Sequence, residues 1–147
     1  MIRTALACLL LLSSAAQADE CDALVGRIAD ATGAKKVGRR VGPSVDVRSA
    51  GGLKIDITCR AEPIVQASSS DPSPSAGYYR DLSIAGGIAI EVPPAAVEAA
   101  LVKAYDTALR ERRKSFIQQS GWSASCYADP GSSSLRTLCS VGRIPPG

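Results

Sequence analysis

The chain has 147 residues, of which 17 are basic and 14 are acidic, and it contains five cysteines but no histidine. It also contains no asparagine. These absences exclude a Ser-His-Asp triad, a Cys-His nucleophile, a histidine-ligated metal and an N-glycosylation sequon. Hydrophobic residues make up 46% of the chain and aromatic residues only 4%. This composition predicts one domain of ordinary size with a core of aliphatic side chains.

The N-terminus has the features of a secretory signal peptide over residues 1–18. Arg3 is followed by an apolar run from Ala5 to Leu12, and Ala16-Gln17-Ala18 matches the small-x-small pattern that precedes a cleavage site. The run is far shorter than the roughly 20 residues that span a bilayer, and no later segment is long enough either. We therefore expect export of residues 19–147 as one domain. The alanine-rich composition without asparagine is typical of GC-rich bacterial genomes, so the periplasm or the medium is the predicted location.

The first predicted element of the exported chain is a helix from Asp19 to Thr32. Its apolar residues recur at three- and four-residue spacing and form one face, and Gly33 stands where a C-terminal cap would fall. The face consists of Cys21, Leu24, Val25, Ile28 and Thr32. We expect this face to pack against the core.

The next segment alternates between apolar and polar residues and predicts a β-hairpin around Ser49–Gly52. We expect a register in which Asp46 faces Lys54, because these charges attract. A shift by two residues would instead pair Asp46 with Asp56 and Arg48 with Lys54. Like charges directly opposite each other are unfavourable, so the first register is the predicted one.

Serine, proline and glycine residues mark the boundaries of the remaining predicted elements. Residues 67–77 are rich in serine and proline and predict a surface loop. Residues 82–92 predict a strand, in which Gly86-Gly87 indicates a bulge or a close backbone approach. Pro93-Pro94 begins a long helix that is predicted to end near Gln119. Its expected buried face comprises Val97, Leu101, Ala104, Tyr105, Ala108, Leu109 and Phe116.

The C-terminal residues 121–143 predict a second hairpin, in which Cys126 faces Cys139. Cys8 lies in the predicted signal, so an even number of cysteines remains for disulfides in an oxidising compartment. We expect the pairs Cys126–Cys139 and, by elimination, Cys21–Cys59, out of three possible connectivities. The element order predicts an α+β fold: a mostly antiparallel sheet with one short N-terminal helix and one long helix packed on a face.

The sequence offers few groups for catalysis. No Cys-x-x-Cys motif is present and the cysteine spacings do not suit zinc, so we expect structural disulfides, no metal and no cofactor. Carboxylates are the remaining acids and bases, and glycosidase chemistry needs two in one cleft. The candidates are Asp46, Asp56, Glu62 and Asp81. Alternation with apolar residues favours exposed sheet positions for the first two, and no catalytic residue is assigned.

Two basic clusters are candidate anion-binding sites. The first comprises Lys35, Lys36, Arg39 and Arg40, and the second comprises Arg110, Arg112, Arg113 and Lys114. The alternative interpretation is a solvated rim with compensation of a helix dipole. Binding to nucleic acid is not expected, because the net charge is small and aromatic residues are few. Tyr78-Tyr79 is a candidate recognition edge, although such a pair also commonly begins a strand.

The leading functional hypothesis is an exported, non-catalytic protein that binds another macromolecule or ligand of the cell envelope. One alternative is a secreted carboxylate-dependent hydrolase acting on glycan or peptidoglycan. A second alternative is an inhibitor of an exported enzyme, with residues 67–77 or Tyr78-Tyr79 as the inserting edge. The partner and the oligomeric state do not follow from the sequence.

Overall fold

The computed structural model describes residues 5–145, with side chains from residue 16 onwards. Within these residues the chain forms three helices: α1 Ala5–Ala31, α2 Ala76–Ile90 and α3 Pro94–Glu111. The same described residues form seven strands: β1 Lys36–Val37, β2 Ser44–Arg48, β3 Lys54–Thr58, β4 Ile64–Ser69, β5 Ser115–Gln119, β6 Trp122–Ala128 and β7 Thr137–Arg143.

The strands form one antiparallel sheet in the order β1-β2-β3-β4-β7-β6-β5. Alternate residues of the central strands are fully buried and face the helices, as the pleat requires. They include Val47, Ile55, Ile57, Val65 and Val141. The opposite face carries mostly polar side chains, with Ile64 and Phe116 as exposed apolar exceptions, and no described helix covers it. The predicted α+β fold is therefore confirmed, with three helices on one face of the sheet.

Helix α1 begins well before the predicted start at Asp19 and ends at Ala31, one residue before the predicted end at Thr32. The predicted inward face is confirmed, since Cys21 and Ile28 are buried, and Gly33 follows with a φ of 63°. The signal peptide stays a prediction: residues 1–4 lie outside the described part of the chain. Among the described residues no single helix has the length and hydropathy needed to cross a membrane.

The predicted register of the first hairpin is wrong. Asp46 faces Asp56, and Arg48 faces Lys54, which is the register that charge pairing disfavours. A shift by two residues keeps the apolar side chains on the same face, so the hydrophobic pattern does not distinguish the two registers. The electrostatic difference between exposed pairs is only about 0.2–1 kcal/mol. Contacts elsewhere in the molecule can therefore override it.

Those contacts act on the loop that joins β2 to β3. The Ser49 side chain is buried, and its hydroxyl donates to Asp81 of α2 at 2.5 Å and accepts from the Leu53 amide at 3.1 Å. The neighbouring Ala50 amide donates to the Thr32 carbonyl at 3.0 Å. The loop is thus held by α2 and by the end of α1. These bonds fix the register through tertiary structure.

The strand predicted over residues 82–92 is wrong, because this segment belongs to α2. Ser75 caps the helix by accepting from the Tyr78 amide at 3.1 Å. Isoleucines and two adjacent glycines suggested a strand, yet the helix is buried on several sides and shows little amphipathic pattern. The close approach predicted at Gly86-Gly87 is confirmed: a Cβ on Gly86 would lie 3.1 Å from Val141, and one on Gly87 would lie 2.6 Å from the Val92 carbonyl oxygen.

The long helix predicted to reach Gln119 ends at Glu111. Arg112 adopts the left-handed conformation, with a φ of 51°, and closes the helix. The chain then forms β5, which pairs with β6 through a two-residue turn. The predicted face is buried from Val97 to Ala108, but its last two members are not: Leu109 is 41% exposed and Phe116 is 60% exposed.

The predicted loop 67–77 is shorter in the structure. Ala67 is fully buried in β4, and α2 has already begun at Gly77, which leaves residues 70–75 between the two elements. Both predicted disulfides are confirmed. One joins α1 to the end of β3. The other joins residues that face each other in β6 and β7, in the predicted register.

Candidate functional site

The outer side of β5 is one of the two edges of the described sheet. β5 is the last strand of the sheet, and no described strand pairs with its outer side. The Cα atoms of Cys126 and Cys139 are 4.1 Å apart, which is the short spacing of a non-hydrogen-bonded pair. Cys126 therefore exchanges its backbone hydrogen bonds with Ser115 of β5. By alternation, the N–H and C=O groups of Phe116 and Gln118 point away from the sheet.

Nothing within β5 protects this edge. Natural edge strands are commonly blocked by proline, by charged residues or by a bulge, and residues 115–119 contain neither proline nor charge. Phe116 lies on the open face of the sheet and is 60% exposed. The Lys114 ammonium lies 4.9 Å from the centre of its ring, a cation–π contact. An extended segment could pair with β5 and cover this ring.

The second basic cluster directly precedes β5. Arg110, Arg112, Arg113 and Lys114 all belong to the end of α3 and the turn that follows it. Glu111 is the single carboxylate among them, and the Arg113 guanidinium holds it at 2.6 Å. The cluster is exposed to solvent. It places four cations and one carboxylate next to the start of β5.

The first basic cluster lies at the opposite edge of the sheet, in and after β1. Six strand spacings separate β1 from β5, or about 29 Å, so the two clusters cannot form one anion site. The members of this cluster also differ in their partners. Arg40 forms an ion pair with Asp22 of α1, whereas Lys36 faces Arg48 of β2. Lys35 and Arg39 are exposed.

The candidate carboxylates do not meet in a cleft. Asp46 and Asp56 face each other on the open face of the sheet, and Glu62 lies in the turn between β3 and β4, at the other end of the strands from Asp81. Asp81 is buried and bonded to Ser49. Among the described residues, no group of three His, Cys, Asp or Glu side chains is placed to hold a metal ion.

The predicted recognition edge is divided between the core and the surface. Tyr78 is buried, and its hydroxyl donates to the Ala67 carbonyl at 2.7 Å and accepts from the Cys139 amide at 3.2 Å. Tyr78 is therefore not available for recognition, which corrects that expectation. Tyr79 is half-buried and stacks edge-to-face on Tyr105. Burial raises the pKa of both Tyr78 and Tyr79.

Sequence reasoning missed β5 because the basic run was interpreted as the end of a long helix. The available signal was Ser120-Gly121, a two-residue turn of the kind that joins hairpin strands. Gly121 indeed has a φ of 81°.

No protein-family model matches the chain, and neither a curated protein nor a solved structure shows significant similarity to it.

Proposed function

We propose that this chain is an exported, non-catalytic binding protein that holds an acidic, extended segment of a partner protein against the outer edge of β5. The observation that carries the proposal is the unblocked edge of β5 beside the basic cluster 110–114. Strand addition uses main-chain hydrogen bonds for affinity and side-chain contacts for specificity. The outward N–H and C=O groups of Phe116 and Gln118 would supply the main-chain hydrogen bonds, and the exposed Phe116 ring would supply a side-chain contact.

The charge beside the edge favours an acidic partner over a second copy of this chain. If two copies paired antiparallel about Ile117, the basic cluster of each would lie beyond Gln119 of the other. Residues 118–123 there contain no carboxylate, so the cluster would find no opposite charge. An acidic segment provides that charge, and electrostatic complementarity of this kind speeds and orients association.

Export is supported by the predicted signal over residues 1–18 and by two disulfides, which are compatible with an oxidising compartment. Mass spectrometry of the protein recovered from periplasm and medium tests this part. We expect a mature N-terminus at Asp19 and both disulfides formed. Recovery of the intact Met1 chain from the cytoplasm alone would refute export.

Fluorescence anisotropy with a labelled ten-residue peptide of alternating Glu and Val tests the binding surface, with a Lys and Val peptide as the control. We expect only the acidic peptide to bind, and more weakly as salt rises. Replacing Gln118→Pro removes an outward N–H without removing a bond to β6. It should weaken binding by at least about tenfold, while Gln118→Thr, which keeps the N–H, should not.

A second pair of variants tests the charge. Lys114→Gln should weaken binding of the acidic peptide, whereas Arg27→Gln, which changes an exposed cation of α1 beside β1 and β2, should leave it unchanged. Equal binding of both peptides, or full affinity in Gln118→Pro, would contradict the proposal. A dimer that Gln118→Pro dissociates in analytical ultracentrifugation would identify a second copy as the occupant and would also refute it.

A further inference from the structure

We propose a second, separate binding site: a cleft at the end of the sheet that binds a phosphate group through Arg48 and Lys54. The cleft has a volume of about 330 Å³ and lies between the β2–β3 loop, residues 68–71 and the start of α2. This volume is at the small end of the range for ligand sites. It suits a headgroup or a small phosphate ester.

The first observation is a row of like charges on three neighbouring strands. Lys36 faces Arg48, and Arg48 faces Lys54, so three cations on neighbouring strands point to the same open face. Directly opposed like charges destabilise a sheet. Strands are about 4.8 Å apart, and a phosphate bound between Arg48 and Lys54 would turn this repulsion into attraction.

The second observation concerns the residues that surround these cations in the cleft. The row continues from Lys54 to Ser68, because Ile55 pairs with Ala67 in the next register position. Ser68, Ser69 and Ser70 border the cleft together with Arg48 and Lys54, and by strand alternation the Ser68 side chain points to the same face as these two cations. Hydroxyl donors beside an arginine and a lysine are the groups that bind phosphate oxygens. The backbone of Gly51 and Gly52 borders the same space.

Arg48 is already oriented for this role. One terminal nitrogen of its guanidinium donates to the Gly52 carbonyl at 2.9 Å, which holds the side chain over the β2–β3 loop. A guanidinium has five N–H donors in a planar fork, so the remaining donors stay available to a ligand. Lys54 has its ammonium 3.3 Å from Asp56 and is half-exposed.

The two carboxylates of the cleft do not cancel these cations. Asp81 is buried, and its two oxygens accept from Ser49 at 2.5 Å and from Arg80 at 3.0 Å. Arg80 therefore balances the charge of Asp81 beside the cleft. Asp71 is exposed and accepts from Ser69 at 3.3 Å. Because Asp71 is exposed, solvent and salt screen its charge from Arg48 and Lys54.

Titration of the isotope-labelled, oxidised protein with inorganic phosphate, observed by NMR at constant ionic strength, tests the site. We expect saturable shifts of the Arg48 side chain and of the Ser68 to Ser70 amides, and none with chloride. Arg48→Gln and Lys54→Gln should each weaken binding by at least about tenfold. Lys103→Gln is the matched control and should not change the affinity.

Thermal unfolding shows whether a variant that fails to bind phosphate is still folded. Arg48 and Lys54 are exposed, so both variants should unfold cooperatively without phosphate, close to the wild-type temperature. Both should lose the rise in unfolding temperature that phosphate gives the wild type. Phosphate shifts that are not saturable, that chloride reproduces, or that survive in Arg48→Gln would overturn the proposal.

A final comparison distinguishes the sources of the phosphate. Glycerol phosphate in solution and vesicles of phosphatidylglycerol, with phosphatidylcholine vesicles as the control, present the same group. Binding of the soluble ester alone identifies a small phosphate ester, and vesicle binding that phosphate competes away identifies a lipid headgroup. Failure of both probes overturns the site. Gln118→Pro, which tests the β5 edge, should leave phosphate binding intact, so the two proposals fail separately.

Discussion

Replacing Gly87→Ala should destabilise the protein, although alanine is the better helix former. The glycine lies near the end of α2, and its carbonyl accepts from the amides of Glu91 and Val92. These bonds fold the chain back so that α3 leaves α2 at a bend of 119°. The Val92 carbonyl oxygen then lies 2.6 Å from the place of a Cβ on Gly87, whereas ordinary contact begins at 3.4 Å.

The magnitude follows from two opposing effects. Alanine in a helix gains about 1 kcal/mol over glycine. Overpacking costs about 1–3 kcal/mol, and the upper end applies at Gly87 because the opposing atom is backbone and cannot rotate away. The free energy of unfolding should therefore fall by about 2 kcal/mol. For a domain of this size that lowers the unfolding temperature by roughly 6–8 °C.

Two other helical glycines provide matched controls. A Cβ on Gly26 of α1 would meet nothing within 4 Å, so Gly26→Ala should stabilise the protein by about 1 kcal/mol. The free energy of unfolding of Gly86→Ala should fall between those of Gly87→Ala and Gly26→Ala, because its Cβ would meet the Val141 side chain at 3.1 Å. Urea unfolding followed by circular dichroism, with disulfides intact, measures all three. If Gly87→Ala were as stable as the wild type, the argument that this turn requires glycine would be wrong.

Three further predictions concern stability. The buried Thr137 hydroxyl has no hydrogen-bond partner among the described residues, so Thr137→Val should raise the free energy of unfolding by about 1 kcal/mol in urea; a decrease would reveal a bond to the hydroxyl. Replacing Cys21 and Cys59 together by alanine opens a link across 38 residues and should cost about 4 kcal/mol. An unchanged urea midpoint would contradict this. Burial raises the pKa of Tyr78 above its value of 10.0 in the unfolded chain. The contribution of this shift to the free energy of unfolding is therefore complete below pH 10 and is lost as pH rises further, by about 1.4 kcal/mol per pH unit. Between pH 9 and 11 the free energy of unfolding should decline less steeply in Tyr78→Phe than in the wild type, and equal slopes would refute the assignment to Tyr78.

The disulfides could be predicted from sequence because they depend on local patterns. Cys21 lies on one face of a strongly periodic helix, and Cys59 follows a strand of clear alternation. Cys126 and Cys139 lie at equal distances from Asp129 and Arg136, the two ends of a loop that begins with Asp-Pro-Gly. Burial of these faces in one core then brought each pair together.

The candidate sites could not be predicted because each depends on contacts between distant segments. The segment of α2 carries isoleucine and glycine in a strand-like pattern, and it is helical because it is buried between the sheet and the other helices. The strand β5 exists because residues 115–119 pair with β6. Interpreting the basic run as part of a helix hid the exposed edge beside it.

The amino-acid pattern alone determined the fold class, the inward faces of the strands and the two disulfides, since these follow from local periodicity and turn chemistry. Only the tertiary structure decided the register of β2 and β3. Both registers bury the same apolar face, and the charges that distinguish them are exposed and worth little. The buried bond from Ser49 to Asp81 selects the register that sets Arg48 beside Lys54. The pairing that local electrostatics disfavours is thus the one that creates the proposed phosphate site.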